Sequence, residues 1–200
     1  MIKNDKWIIE QARLGMITPF EEKSIRKSIL GNNKEVPTIS WGLSSYGYDI
    51  RLSADDFRIF RHIPGTIVDP KSFNPKNLEQ AELHTNKDGS AYFIIPANSY
   101  GLGASFESIK MPPNVTAICL GKSTYARVGV IANITPLEAS WQGKSITLEF
   151  SNASSADVKI YANEGVVQLL FFEGESCGIT YAERNGKYQN QGSGVTLPKV

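Results

Sequence analysis

The chain of 200 residues has few of the side chains on which metal-dependent and triad hydrolases depend. Its two histidines are His62 and His84, and its two cysteines are Cys119 and Cys177. Neither histidine falls in an H-x-E or H-E-x-x-H pattern, and no C-x-x-C occurs. A zinc site would need nearly every His and Cys in the chain to converge, so zinc is not expected. A Ser-His-Asp or Cys-His triad has no elbow motif to carry its nucleophile. Two cysteines make no disulfide framework, which leaves a reducing cytoplasm as the simplest setting. A dominant charge is missing too: 21 Lys and Arg stand against 20 Asp and Glu, a net charge of +1. No global field therefore draws the chain to nucleic acid or to an anionic membrane. No apolar run approaches the ~20 residues of a membrane span, and the polar start, Met1 to Lys6, is no secretory signal. Acid–base chemistry is left to carboxylates.

What the chain does have is many short runs of β-branched and aromatic residues between turn signals. They cover 48–53, 56–61, 65–69, 91–95, 99–106, 114–120, 130–135, 145–151, 157–161 and 166–172. This spacing predicts a mainly β fold, a sandwich or barrel in one domain of 1–200. A short N-terminal helix is expected over Lys6 to Leu14, capped by Asp5, closed by Gly15, with Trp7, Ile8, Ala12 and Leu14 near one face. The polar stretch 71–88 reads as a long loop with a helical turn. The tail, 183–200, is rich in Gly, Gln, Asn and Lys; it either closes over a site or frays.

The stretch "LGKSTYAR", Leu120 to Arg127, ends like a P-loop, but Thr116 stands where the first glycine is required. Ala117 to Leu120 are strand formers, so no loop of backbone amides can curl around phosphates. Ser123 and Thr124 read instead as the cap and first turn of a short helix, with Lys122 and Arg127 adding charge suited to phosphate. Further on, "SITLEFSN" alternates like a strand: Ile146, Leu148 and Phe150 on one face, Ser145, Thr147, Glu149 and Ser151 on the other. Glu149 then faces either open water or a pocket whose desolvation would tune it for proton transfer. Glu138 lies in the turn-rich "PLEASWQG". "SSYGYDIR", Ser44 to Arg51, is a ligand edge, an internal ion pair or a subunit contact.

These segments together resemble the dCTP deaminase family, a branch of the trimeric dUTPase-like fold. The resemblance runs through "DKWI", "GMITPF", "SSYGYDIR", "VDPKSF", "IIPANSY", "GKSTYARVGVIANITPLE", "ITLEFSN", "KIYANEGVVQLLFFEG", "YAERNGKYQNQ" and "GVTLP", in that order. "GKSTYA" is similar to the dUTPase motif G-R-S-S-x-A. "LEASWQG" is similar to I-D-x-x-Y-x-G, with Glu138 and Trp141 in the places of Asp and Tyr.

The resemblance implies a distorted β-barrel or jelly roll assembled as a homotrimer, with sites between subunits. It implies hydrolytic deamination of dCTP to dUTP and ammonia without zinc, Mg²⁺ accompanying the triphosphate, and dTTP as a feedback inhibitor. Glu149 matches the family's proton-shuttling glutamate; Ser123 and Arg127 match residues that position base and water. Lys122, Thr124, Tyr125, Ala126 and Arg127 fall in the phosphate-contacting segment. Thr147 and Leu148 match the segment that reads the pyrimidine edge, and Pro136 and Glu138 are counted with the substrate-binding residues. Gln168, Tyr181, Lys187 and Gln191 match further nucleotide contacts, the last two on a closing tail. The alternative is a dUTPase, or a bifunctional enzyme that also releases pyrophosphate. Glu138 in place of the dUTPase Asp favours deamination alone.

Overall fold

The computed structural model describes residues 1–30 and 35–200. Helix α1 spans Asp5–Arg13 and is followed by β1 (Ile17–Thr18), β2 (Ser24–Ile29), β3 (Glu35–Ser44) and β4 (Gly47–Phe60). A 3₁₀ turn at Pro75–Asn77 leads into β5 (Leu78–Gln80), β6 (His84–Thr85), β7 (Ala91–Ile95), β8 (Tyr100–Ser105) and β9 (Ser108–Lys110). Strand β10 (Val115–Gly121), the one-turn helix α2 (Ser123–Ala126), β11 (Val130–Asn133), β12 (Gln142–Gly143), β13 (Thr147–Asn152), β14 (Val158–Tyr161) and β15 (Gly165–Glu173) complete the fold.

The principal sheet has nine strands, running β10-β15-β4-β8-β13-β11, with β3 and β5 also on β4 and β2 beyond β3. Two three-stranded sheets flank it, β1-β9-β12 and β14-β7-β6. Strand β4 joins the two halves: Tyr48 to Arg51 pair with β15, while Phe57 to Ile59 pair with β8. Its pairing with β8 shifts register between Leu52 and Phe57, the irregularity that lets one strand bend from one layer into the next. The sequence reads two strands here because Ser53 to Asp56 interrupt the apolar pattern at that bend. The core faces carry Tyr48, Phe57, Phe93, Phe150 and Phe171, all fully buried, and Phe57 stacks on Phe93 with centroids 4.9 Å apart. Burying aromatic surface of this kind is worth roughly 25 cal/mol per Å² of apolar area.

Several expectations need correcting. Asn4, not Asp5, caps α1, its side chain accepting from the Trp7 amide at 3.2 Å; Ile8 and Ala12 face the core, but Leu14 is exposed. Residues 65–69 form no strand, because Pro64 and Pro70 bracket them and Thr66 folds back to the Ile63 carbonyl through its amide and hydroxyl. The β2–β3 hairpin was not legible: β2 is polar and mostly exposed, and Pro37 sits in β3, a residue that normally argues against a strand. Loop 71–88 does hold the helical turn, together with β5 and β6. No helix among the described residues is long and apolar enough to cross a membrane.

The unusual "YGYDIR" run is explained by charge. Arg51 donates from Nε to Glu107 Oε1 at 2.7 Å, and its backbone amide donates to Oε2 at 2.9 Å. Its guanidinium lies 3.9 Å from the ring centroids of both Trp41 and Phe106. Burial pushes the Glu107 carboxyl above its ordinary range, while the nearby guanidinium pulls it back. Between the three readings of this stretch, the internal ion pair holds for Arg51. The close approach of β3 to β15 requires a glycine: a Cβ at Gly165 would meet the Ser40 carbonyl oxygen at 1.9 Å.

Removing one partner of this buried pair strands the other's charge, which typically costs about 3–5 kcal/mol, whereas replacing both with apolar groups is closer to neutral. Glu107→Ala is therefore expected to lower unfolding stability by about that amount, and Arg51→Met with Glu107→Leu by clearly less. Equal losses in chemical denaturation would contradict a structural ion pair.

Candidate active site

The alternation of β13 is as the sequence predicts. Leu148 and Phe150 are buried in the core, while Thr147, Glu149 and Ser151 line an open cleft of about 1080 Å³. That volume suits a nucleotide-sized ligand. β13 lies between β8 and β11, placing Glu149 opposite Leu102 on one side and Asn133 on the other. The cleft's second wall is the segment from Ile134 to Trp141, and its third is the tail from Tyr181 to Pro198.

The tail does not fray. Asn190 donates its amide to the Gln142 carbonyl and Lys144 donates to the Gln191 carbonyl, at 2.9 and 2.8 Å. Trp141 Nε1 donates to the Tyr188 carbonyl at 2.9 Å, and Ser145 Oγ bonds the Gly192 and Gly194 carbonyls, each at 3.0 Å. Nearer the end, the Val195 amide reaches Asp56 at 2.8 Å and the Thr196 amide reaches Thr147 Oγ1 at 2.9 Å. These bonds lay the tail along residues 140–147 and bring Thr196 beside the strand that carries Glu149.

Of the residues singled out in the sequence, Pro136, Glu138, Thr147, Glu149, Tyr181, Lys187 and Gln191 come together in this cleft. Leu148 lies behind it in the core, from where only its backbone can meet a ligand. Burial raises the Glu149 carboxyl above its ordinary range, opposed by a long hydrogen bond from Asn133 at 3.5 Å. Glu138 is an ion-pair partner of Arg184 on the tail. Its charge is thereby matched, whereas among the described residues Glu149 forms no ion pair.

The Gly121–Arg127 stretch lies elsewhere. None of Lys122, Ser123, Thr124, Tyr125, Ala126 or Arg127 lines the cleft. The short helix expected here exists, but its cap position is Lys122, with no side-chain capping bond, and Ser123 is its first residue. Tyr125 is buried, its hydroxyl accepting from the Tyr161 amide at 2.8 Å. Ser123, Thr124, Ala126 and Arg127 are exposed, and Arg127 Nη1 donates to the Ser123 carbonyl at 3.0 Å. Lys122 is ion-paired with Asp49 and donates to Ser40 Oγ at 3.1 Å. Gln168 donates from Nε2 to Asp49 Oδ1 at 3.0 Å and to Ser44 Oγ at 3.1 Å. Sequence reasoning did not single out Asp49, Ser40, Arg184 or Thr196 as site residues, since nothing local signals contacts made across 46 to 119 positions.

The fold is shared with a solved structure, the 2′-deoxycytidine 5′-triphosphate deaminase from Agrobacterium tumefaciens, at a TM-score of 0.51 and 15% identity. The alignment covers 86% of this chain, which spans about half (48%) of that one. This agrees with the mainly β architecture expected from the sequence. The chain belongs to the dCTP deaminase-like family, whose pattern it matches over residues 2–174. It is 47% identical over 200 residues to the dCTP deaminase of Acidobacterium capsulatum, covering 100% of this chain and 99% of the relative. It is 50% identical to that of Chromobacterium violaceum, covering 99% and 98%.

The Glu149 environment has a measurable sign. A carboxyl with a raised pKa holds its proton more readily in the folded chain, so its ionisation opposes folding as pH rises through that window. Glu149→Gln is expected to melt above the parent at neutral pH and level with it below the ordinary carboxylate range. A Glu149 carboxyl titrating at or below 4.5, its unperturbed value, would contradict the desolvation.

Proposed function

We propose that the protein hydrolytically deaminates dCTP to dUTP and ammonia, with Glu149 as the proton shuttle. The observation that carries this reading is an exposed carboxylate on a strand face that lines a nucleotide-sized cleft, its pKa raised by desolvation and paired with no cation among the described residues. Full-length relatives near 50% identity that are named dCTP deaminase support the choice of substrate.

In the proposed step Glu149 takes a proton from a water that attacks C4 of the pyrimidine. The new C4–O bond forms a tetrahedral centre, the proton passes through Glu149 to the amino group, and the C4–N bond breaks to release ammonia. General acid–base catalysis of this kind contributes about 10²–10⁴-fold. A raised pKa suits a group that must accept and then donate. Thr147 and the Leu148 backbone are assigned to the pyrimidine edge, and Tyr181, Lys187 and Gln191 to the nucleotide under the tail. Glu138, matched by Arg184, is assigned no base role, which is why pyrophosphate release is not expected.

Mg²⁺ is expected to arrive on the triphosphate. The cleft offers Glu138 and Glu149 on different segments, with Glu138 already paired, which suits an ion held by phosphate oxygens and water. When bound it neutralises phosphate charge. A cytoplasmic setting and inhibition by dTTP, which shares the triphosphate and a pyrimidine ring, belong to the same proposal.

Ser123 and Arg127 are exposed on α2 and off the cleft of their own chain. Around them Ile118, Leu120, Val128 and Ile131 expose apolar side chains, as a surface buried on self-association would. We therefore place Ser123 and Arg127 in the cleft of a neighbouring copy, where they position water and base in a homotrimer.

Two experiments test these assignments. Incubation with dCTP and Mg²⁺ should yield ammonia and dUTP in equal amounts with the triphosphate intact; pyrophosphate release would favour the dUTPase reading. Glu149→Gln and Arg127→Ala should each lose at least 100-fold in kcat, on the order of one general acid–base contribution, yet recover activity when co-refolded. Mixed trimers would then contain sites with both residues intact. No recovery on mixing would place both residues in one chain's site.

A further inference from the structure

The tail that walls the cleft is fastened at a point outside the cleft. Ser53 to Asp56 form the irregular stretch of β4, where the pairing with β8 shifts register, and Phe57 beyond them is fully buried. Alternation along the strand turns Asp56 and Arg58 to the other face. Arg58 pairs with Leu102 of β8, and Leu102 pairs with Glu149 of β13. Residues opposite one another in a sheet project from the same face. Asp56 and Arg58 therefore stand on the face that carries Glu149, two strands away from it.

Arg58 donates from Nε to Asp56 Oδ1 at 3.0 Å and from Nη2 to Oδ2 at 3.1 Å. This two-point contact holds the carboxylate in one orientation, and the Asp56 side chain is only 14% exposed. Its Oδ2 also accepts from the Val195 amide at 2.8 Å. Gly194, just before, has a φ of +91°, and a Cβ there would meet Asp56 Oδ2 at 2.8 Å. Such an approach at positive φ requires glycine. The following residue, Thr196, bonds Thr147 Oγ1 and lines the cleft together with Pro198. Asp56, Arg58, Gly194 and Val195 do not line it.

We propose that Asp56 is a positioning residue for the nucleotide site, a latch that holds the end of the tail against the sheet. The proposal rests on the dCTP reading of the cleft and adds to it a residue that touches neither the nucleotide nor the reacting atoms. Arg58 sets the carboxylate, the carboxylate fixes Val195, and Val195 keeps Thr196 and Pro198 in the cleft wall. A tail released at this point leaves the ligand with one wall loose. The effect falls on binding, and the proton transfers assigned to Glu149 keep their rate.

The test uses the full chain with Asp56→Ala, Asp56→Asn, Gly194→Ala and the double variant Asp56→Ala with Gly194→Ala. It reads kcat and KM for dCTP with Mg²⁺, melting temperature, and amide hydrogen exchange at Val195 and Thr196. Asp56→Ala is expected to raise KM about tenfold, the scale of one hydrogen bond to a charged group, with kcat unchanged. Gly194→Ala reaches the latch from the tail and leaves β4 intact. It is expected to raise KM likewise at the parent's melting temperature, so the test survives if Asp56→Ala unfolds by leaving Arg58 unpaired. Asp56→Asn keeps an acceptor for the Val195 amide and is expected to recover most of the lost affinity. The double variant is expected to be no worse in KM than either single one, because residues acting as a unit are not additive. Exchange at Val195 and Thr196 is expected to quicken in both single variants. A parent-like KM in Gly194→Ala would overturn the proposal, as would a fall in kcat at unchanged KM or additive losses in the double variant. If the parent itself does not deaminate dCTP, the reading of the site fails separately. Faster exchange at Val195 and Thr196 in the variants then still supports the latch, and unchanged exchange overturns it.

Discussion

A buried guanidinium has to find an anion and a surface shaped to its plane, and Arg51 has both. Glu107 binds its Nε and backbone amide, while Trp41 and Phe106 cover its two faces. This arrangement sits on β4 immediately before the bend that carries the strand from β15 to β8. Phe106 also donates its backbone amide to the Arg51 carbonyl at 2.9 Å, so the end of β8 is tied to the same point. β8 in turn pairs with β13, opposite Glu149. The strand that carries Glu149 is therefore one sheet neighbour away from the point where the two halves of the fold are pinned. Because a half-made ionic contact in a low-dielectric interior is costly, the bend has one well-determined geometry.

The cleft follows from what is laid against that frame. β13 offers a polar face because its alternation puts Thr147, Glu149 and Ser151 opposite the core side chains. The tail's backbone bonds to Gln142, Lys144 and Ser145 and its Thr196 bond to Thr147 wall one side of the cleft. Glu149 is desolvated enough to raise its pKa, yet it keeps an open side toward the ligand space. The tail and the strand that carries Glu149 thus line the same cleft.

The alternating runs of β7, β8, β10, β14 and β15 were legible because each has a core face that period-two hydrophobicity announces. The phase of β13, and hence the outward placement of Glu149, was legible for the same reason. The β2–β3 hairpin was not, because edge strands with exposed faces carry no such signal. The two ion pairs of "YGYDIR" were equally hidden. Asp49 and Arg51 find Lys122 and Glu107 at separations of 73 and 56 residues, and only the folded chain selects one partner among many charges. Composition favoured a fraying tail, whereas the bonds made by Gln191 and Thr196 hold it against Lys144 and Thr147. Ser123 and Arg127 are the remaining case. Both are exposed and lie off the cleft of their own chain.

The proposed chemistry assigns to Glu149 the proton transfers of the deamination. That choice demands a site dry enough to raise a glutamate's pKa and polar enough to hold a water on the correct face of the base. The most direct measurement is the fate of oxygen when dCTP is turned over in ¹⁸O-labelled water. Attack at C4 assisted by Glu149 predicts one labelled oxygen per dUTP, on the pyrimidine ring, with none in the phosphates. Label in released pyrophosphate or in the nucleotide phosphate, with an unlabelled ring, would contradict it.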